Sequence, residues 1–135
     1  MPIISVQLAA KPDPKLTRAI AQSVTDLTAK LLRKDNTVTS VAVQYVDQAD
    51  WFIDGESLEQ LGFNSFFVDA RITDGTNTKA EKSAYIRAVF ESVRRILGGA
   101  HPISYVHADD VRADGYGFGG LTQEHRANSP SAAVA

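Results

Sequence analysis

The sequence predicts an α/β domain of two fused β-α-β units, whose four main strands form one mixed sheet with two helices on one face. Three observations predict it: two amphipathic helical stripes, short apolar or β-branched runs before and after each stripe, and the same order of elements in both halves. A length of 135 residues fits one domain. At that size folding hides roughly two-thirds of the extended chain's surface, enough for a real core. We place a single domain at 1–126, with a pseudo-repeat of 2–55 and 65–120. The tail, 127–135, is small, polar and aperiodic, and we expect it to be loose.

The first strand is expected at 3–8. Asp13-Pro14 then supplies an N-cap followed by proline at the first helical position. Leu16, Ile20, Val24, Leu27 and Leu31 recur at helical spacing as one apolar stripe, while Lys30, Arg33 and Lys34 suit the negative end of the helix dipole. Residues 39–46 read as a strand with Val41, Val43 and Tyr45 on one face. Trp51-Phe52-Ile53-Asp54-Gly55 is a short aromatic segment ending at a turn.

The second half begins with a strand at 65–73 and a reversal at Asp74-Gly75. Thr78 and Glu81 form a capping-box pattern, and Ala84, Val89, Phe90, Val93, Ile96 and Leu97 give the helical stripe, which Gly98-Gly99 stops. The fourth strand is expected at 103–107, before the Gly-rich aromatic run 115–120. In the superposition of the halves Val41 falls on Val106, Leu31-Leu32 on Ile96-Leu97, and Trp51 on Tyr116. A right-handed crossover makes the two strands of each half parallel. With both helices on one face, strands such as Phe66-Phe67-Val68 leave the other face needing cover, which favours an oligomer.

Composition narrows the function classes. A net charge of -2 offers no basic or acidic excess for nucleic acid or an anionic membrane. Cys is absent, which removes disulfides, thiolate metal sites and cysteine nucleophiles, and the three histidines show no metal-ligand spacing. We therefore expect no metal and no organic cofactor. No basic segment with a long apolar run opens the chain, and no stretch is long enough to span a membrane, so a cytoplasmic location is expected.

Pro2 after Met1, a first strand, two β-α-β units and a Gly-rich aromatic ending resemble the tautomerase superfamily over roughly 2–120. Thr39-Ser40-Val41-Ala42-Val43 is similar to the Thr-Ser-Val-Arg-Val strand of the small 4-oxalocrotonate tautomerases, with Ala42 in place of the arginine. Their other arginine lies where this chain has Lys11-Pro12, and their wall phenylalanine is similar in place to Trp51 or Phe52. Tyr105-Val106-His107 resembles the Tyr-x-Asn strand of macrophage migration inhibitory factor, with His107 replacing the asparagine. The two arginines around the turn after strand three in the cis-3-chloroacrylic acid dehalogenases correspond to Thr73 and Thr76. Asp114 is the carboxylate near the place of their water-activating glutamate.

The resemblance implies a homotrimer and a cofactor-independent tautomerase acting on a small 2-hydroxy or 2-oxo carboxylate. With Met1 removed, the Pro2 nitrogen is a secondary amine that can take and return a proton, and nearby cations or desolvation would favour its neutral, basic form. Lys11, Lys34 and Arg71 are the candidate cations for the substrate carboxylate and the developing enolate. Trp51, Tyr105, His107 and Phe118 are the candidate pocket residues. Each has a plainer alternative: solvated lysines, an Arg71–Asp69 ion pair, core aromatics and a satisfied interior histidine. Two other functions stay open, a Pro2-dependent dehalogenase, hydratase or decarboxylase of unsaturated acids, and a non-catalytic trimer that binds a ligand or protein.

Overall fold

A computed structural model describes residues 2–128. Strand β1, Ile3–Ala9, leads to helix α1, Pro14–Leu32, whose start is fixed as expected: the Asp13 carboxylate accepts a hydrogen bond from Lys15 N at 3.0 Å and Pro14 occupies the first turn. Strand β2, Ser40–Tyr45, is followed by a hairpin of β3, Phe52–Ile53, and β4, Glu56–Ser57, and by one helical turn, α2, Leu58–Leu61. The second half runs through β5, Ser65–Thr73, α3, Lys79–Ile96, and β6, Tyr105–Val111. A hairpin of β7, Gly117–Phe118, and β8, Leu121–Thr122, then leads to α4, Gln123–Asn128.

The main sheet has the order β2-β1-β5-β6. Strands β1 and β2 are parallel, as are β5 and β6, and β1 meets β5 antiparallel with Val6 opposite Val68. Alternation sends Ile4, Val6 and Leu8 of β1 and Phe66, Val68, Ala70 and Ile72 of β5 to one face, all fully buried. Against them pack Ile20, Val24 and Leu32 of α1 and Tyr85, Val89 and Val93 of α3. Burying each such side chain contributes about 1.5–3 kcal/mol. Thr28 and Tyr85 join the helices through a buried hydrogen bond of 2.8 Å.

Several features depart from the expectations. The fourth strand starts later and runs further than 103–107. Pro102 has no N–H, Ile103 N donates to His101 Nδ1 at 3.0 Å, and Ser104 Oγ donates to the His101 carbonyl at 2.7 Å, so 101–104 close into a turn. The ladder then continues through two aspartates, with Asp110 paired to Lys82. The uncovered face of the sheet is mixed where an apolar surface was expected: Ser5, Gln7, Gln44, Asp69, Arg71, His107 and Asp109 share it with Ile3, Ala42, Phe67 and Tyr105. Helix α4 takes in Ala127 and Asn128 of the expected tail. The rest of that tail, and the removal of Met1, lie outside the described residues. No helix among the described residues is long and apolar enough to cross a membrane.

Candidate active site

Pro2 is buried at the start of β1, an inner strand of the sheet, and its carbonyl accepts from Ser40 N at 3.2 Å. Because β5 runs antiparallel to β1 while β6 follows β5, the amino end of β1 lies level with the carboxyl ends of β5 and β6. The hairpin after β6 therefore reaches Pro2. A cavity of about 110 Å³ is lined by Pro2, Ile3, Val38, Ser40, Tyr116, Gly117 and Phe118. That is the liquid volume of about three to four waters, sized for a small molecule's reacting end.

The wall is built by a tight turn. Gly119 and Gly120 both have positive φ, 61° and 82°, the conformation that a two-residue hairpin loop of this kind requires. Gly117 has no room for a side chain, since an added Cβ would stand 1.9 Å from the Leu121 carbonyl oxygen. Tyr116 anchors the hairpin to the sheet: its hydroxyl donates to the Arg71 carbonyl at 3.1 Å and accepts from the Ile3 backbone. Burial pushes the Tyr116 phenol above its ordinary value, and the Ile3 N–H partly offsets this. The group thus stays a neutral hydroxyl at neutral pH, one residue from Pro2.

Phe118 is the one expected pocket residue that joins Pro2 in this cavity. Lys34 precedes in sequence the turn that carries Val38 and does not itself line the cavity; its Nζ donates to Thr76 Oγ1 at 2.7 Å. Thr76 Oγ1 in turn donates to the Thr73 carbonyl at 2.6 Å. Thr73 and Thr76, the threonines aligned with the dehalogenase arginines, thus hold a lysine at that turn. Desolvation, then the charge of Arg33, lower the Lys34 pKa. Arg71 stands opposite Ile3 with both side chains on the open face, its guanidinium 3.9 Å from Asp69.

The other expected residues lie away from Pro2 within one chain. Lys11 lines a separate cavity of about 340 Å³ with Ala10, Pro12, Tyr45, Val46, Asp47 and Gln48, at the opposite end of β1. Trp51 lies at that end too, beyond β2, its carbonyl accepting from Leu58 N. Tyr105 is level with Gln7, about 13 Å along β1 from Ile3 at ordinary strand rise. His107 is level with Ser5, with Nδ1 3.5 Å from Asp69 and Nε2 4.0 Å from Asp109. Asp114 is held by Arg112 through bonds of 3.0 and 2.7 Å, and that guanidinium keeps its carboxyl below the ordinary range. Its engagement by Arg112 and its lowered proton affinity make it a weak base for activating water. Among the described residues no cluster of His, Asp and Glu is arranged to hold a metal.

Tyr116, Val38, Ser40 and, behind the wall, Arg126 were not singled out from sequence. The slide of one half onto the other pairs Tyr116 with Trp51, and treating that match as a pocket position would have found it.

The sequence matches no model of a known protein family and no curated protein. Solved structures do match. The Q0 fused 4-OT, a symmetric trimer, is 20% identical, covers 90% of this chain and 96% of its own, and superposes with a TM-score of 0.80. Pt0534 inactivated by 2-oxo-3-pentynoate gives 11%, 90%, 97% and 0.80. FG41 malonate semialdehyde decarboxylase inhibited by 3-bromopropiolate gives 19%, 93%, 95% and 0.72. At these identities the likeness defines the fold: over the matched 90% of its length the chain has the architecture of the fused 4-OT structures.

Proposed function

We propose that this protein is a cofactor-independent tautomerase, in which the Pro2 amine, freed by removal of Met1, moves a proton between the enol and keto forms of a small 2-hydroxy or 2-oxo carboxylate. One observation carries the reading: Pro2 is buried at the start of an inner strand and opens into a small aromatic-walled cavity. Burial favours the neutral amine over the ammonium, which is the form a base needs. Ile3, Val38 and Phe118 would exclude water from the reacting carbon, while Lys34 offers the cation for a carboxylate or an enolate oxygen.

The working form is a homotrimer. The fused 4-OT with this fold is a symmetric trimer. Lys11, Trp51, Tyr105 and His107, remote from Pro2 in their own chain, would in that assembly serve the Pro2 end of a neighbouring copy. Pt0534 is inactivated by 2-oxo-3-pentynoate, an alkynyl 2-oxo acid of the electrophilic kind that a neutral amine attacks, which is consistent with a basic amine in this fold.

Dehalogenation and hydration are less well supported, since Asp114 is engaged by Arg112 and threonines occupy the arginine positions. The test is ketonisation of phenylenolpyruvate and 2-hydroxymuconate by protein shown by intact mass to lack Met1. Wild type should turn over at least one of them, and Pro2→Ala should lose about 100-fold or more in kcat/KM. Turnover unaffected by the substitution, or none on either compound, would overturn the proposal for these substrates. Chloride release from 3-chloroacrylates would point to the dehalogenase alternative.

A further inference from the structure

We infer that Arg126 is the positioning residue of the Pro2 pocket, fixing the Phe118 wall from behind; its kinetic consequence rests on the function proposed above, its structural consequence does not. Arg126 is 6% exposed, an unusual state for arginine, and two of its contacts are to Phe118. Its guanidinium carbon stands 3.8 Å from the centroid of the Phe118 ring, and Nη2 donates to the Phe118 carbonyl at 2.9 Å. The Gly119 backbone leaves room for it, because a Cβ there would meet Nη2 at 2.9 Å.

The side chain therefore grips both ends of one residue, ring and carbonyl. Phe118 lines the Pro2 cavity and Arg126 does not, so the guanidinium lies behind the ring as seen from the cavity. Strand β7 is only Gly117–Phe118, paired to Leu121–Thr122, too short to hold its own geometry. A stacked, hydrogen-bonded arginine supplies the missing rigidity, since planar guanidinium stacking on an aromatic face is directional in a way that lysine cannot reproduce.

The test compares Arg126→Met, Arg126→Lys, Gly119→Ala and Gly120→Ala. Gly119 and Gly120 share the backbone strain of positive φ, but only at Gly119 would the new methyl meet the guanidinium, while Gly120 has open space around it. The first readout is independent of activity: nuclear Overhauser contacts from the Phe118 ring to Pro2, Ile3 and Val38. Arg126→Met and Gly119→Ala should weaken or lose them, Arg126→Lys should recover them only in part, and Gly120→Ala should keep them. The second is kinetic: KM should rise about tenfold in Arg126→Met and Gly119→Ala with kcat changed less.

Overhauser contacts and KM unchanged in folded Arg126→Met, with only a lower melting temperature, would reduce Arg126 to a stabilising residue and overturn the inference. If Arg126→Met fails to fold, Gly119→Ala against Gly120→Ala decides by the same criteria. Lost contacts in a protein without Pro2-dependent turnover would leave the inference standing and remove the tautomerase reading instead.

Discussion

At the residue scale, the setting of Pro2 is made by its neighbours. Tyr116 ties β7 to the Arg71 carbonyl and to Ile3 beside the proline. Tyr116→Phe should cost about 1–2 kcal/mol in urea unfolding, because it leaves two backbone groups without their partner. It should also raise KM, since the hairpin that carries Phe118 loses its tether. Lys34→Ala should raise KM for a carboxylate substrate by about tenfold and leave Pro2 dependence intact. In sequence, Pro2 and Phe118 were legible because a terminal proline and a Gly-rich aromatic run are local signals. Tyr116 and Arg126 were not, since their importance comes from contacts between distant segments: Tyr116 to Arg71, Arg126 back across a turn.

At the element scale, both long helices were legible from periodicity and caps, and the ends of α1 and α3 show why they lock together. The Thr78–Glu81 capping box is formed in both directions, and the Glu81 carboxylate also reaches Arg33 at 2.8 Å. The Thr78 backbone bond, ahead of Arg33, holds the Glu81 pKa below its ordinary 4.5. A carboxyl lowered on folding contributes stability above its unfolded pKa and loses it as pH falls through the folded one. Glu81→Gln should therefore lower the melting temperature at neutral pH and flatten the fall in stability on acidification below 4.5. Tyr85 behaves oppositely. Burial raises its pKa, so its contribution is complete below the ordinary 10.0 and is lost as pH rises beyond. Tyr85→Phe should flatten that alkaline loss and cost about 1 kcal/mol through the bond to Thr28. The two hairpins and α4 were not legible as elements, because two-residue strands carry no periodicity. Asp54-Gly55 and Gly119-Gly120, with φ of 53° and 76° and of 61° and 82°, were their only local signature.

At the scale of the whole molecule, a four-stranded mixed sheet, its parallel pairs and the single face taken by both helices followed from two crossovers and two apolar stripes, while the order β2-β1-β5-β6 comes from the structure. The open face did not. The strands read as apolar on both sides, but alternation puts most of their aliphatic residues against the helices and leaves Ser5, Gln7, Gln44, Asp69, Arg71 and His107 outside among Ile3, Ala42, Phe67 and Tyr105. The candidate site was only half legible for a related reason: sequence order says nothing about which end of an antiparallel pair a residue occupies, and Lys11 and Tyr105 fall toward the end remote from Pro2. Sedimentation equilibrium should give about three times the chain mass of 14.6 kDa; a monomer at working concentration would leave those residues without a role at Pro2. The central claim, a neutral amine at Pro2, is tested most directly by its reactivity. Protein lacking Met1 is treated at neutral pH with 2-oxo-3-pentynoate, whose alkyne carbon accepts an amine nitrogen by conjugate addition, and the labelled peptide is sequenced by mass spectrometry. The account predicts one adduct per chain, on the Pro2 nitrogen. An unlabelled Pro2, or label found only on lysines, would contradict it.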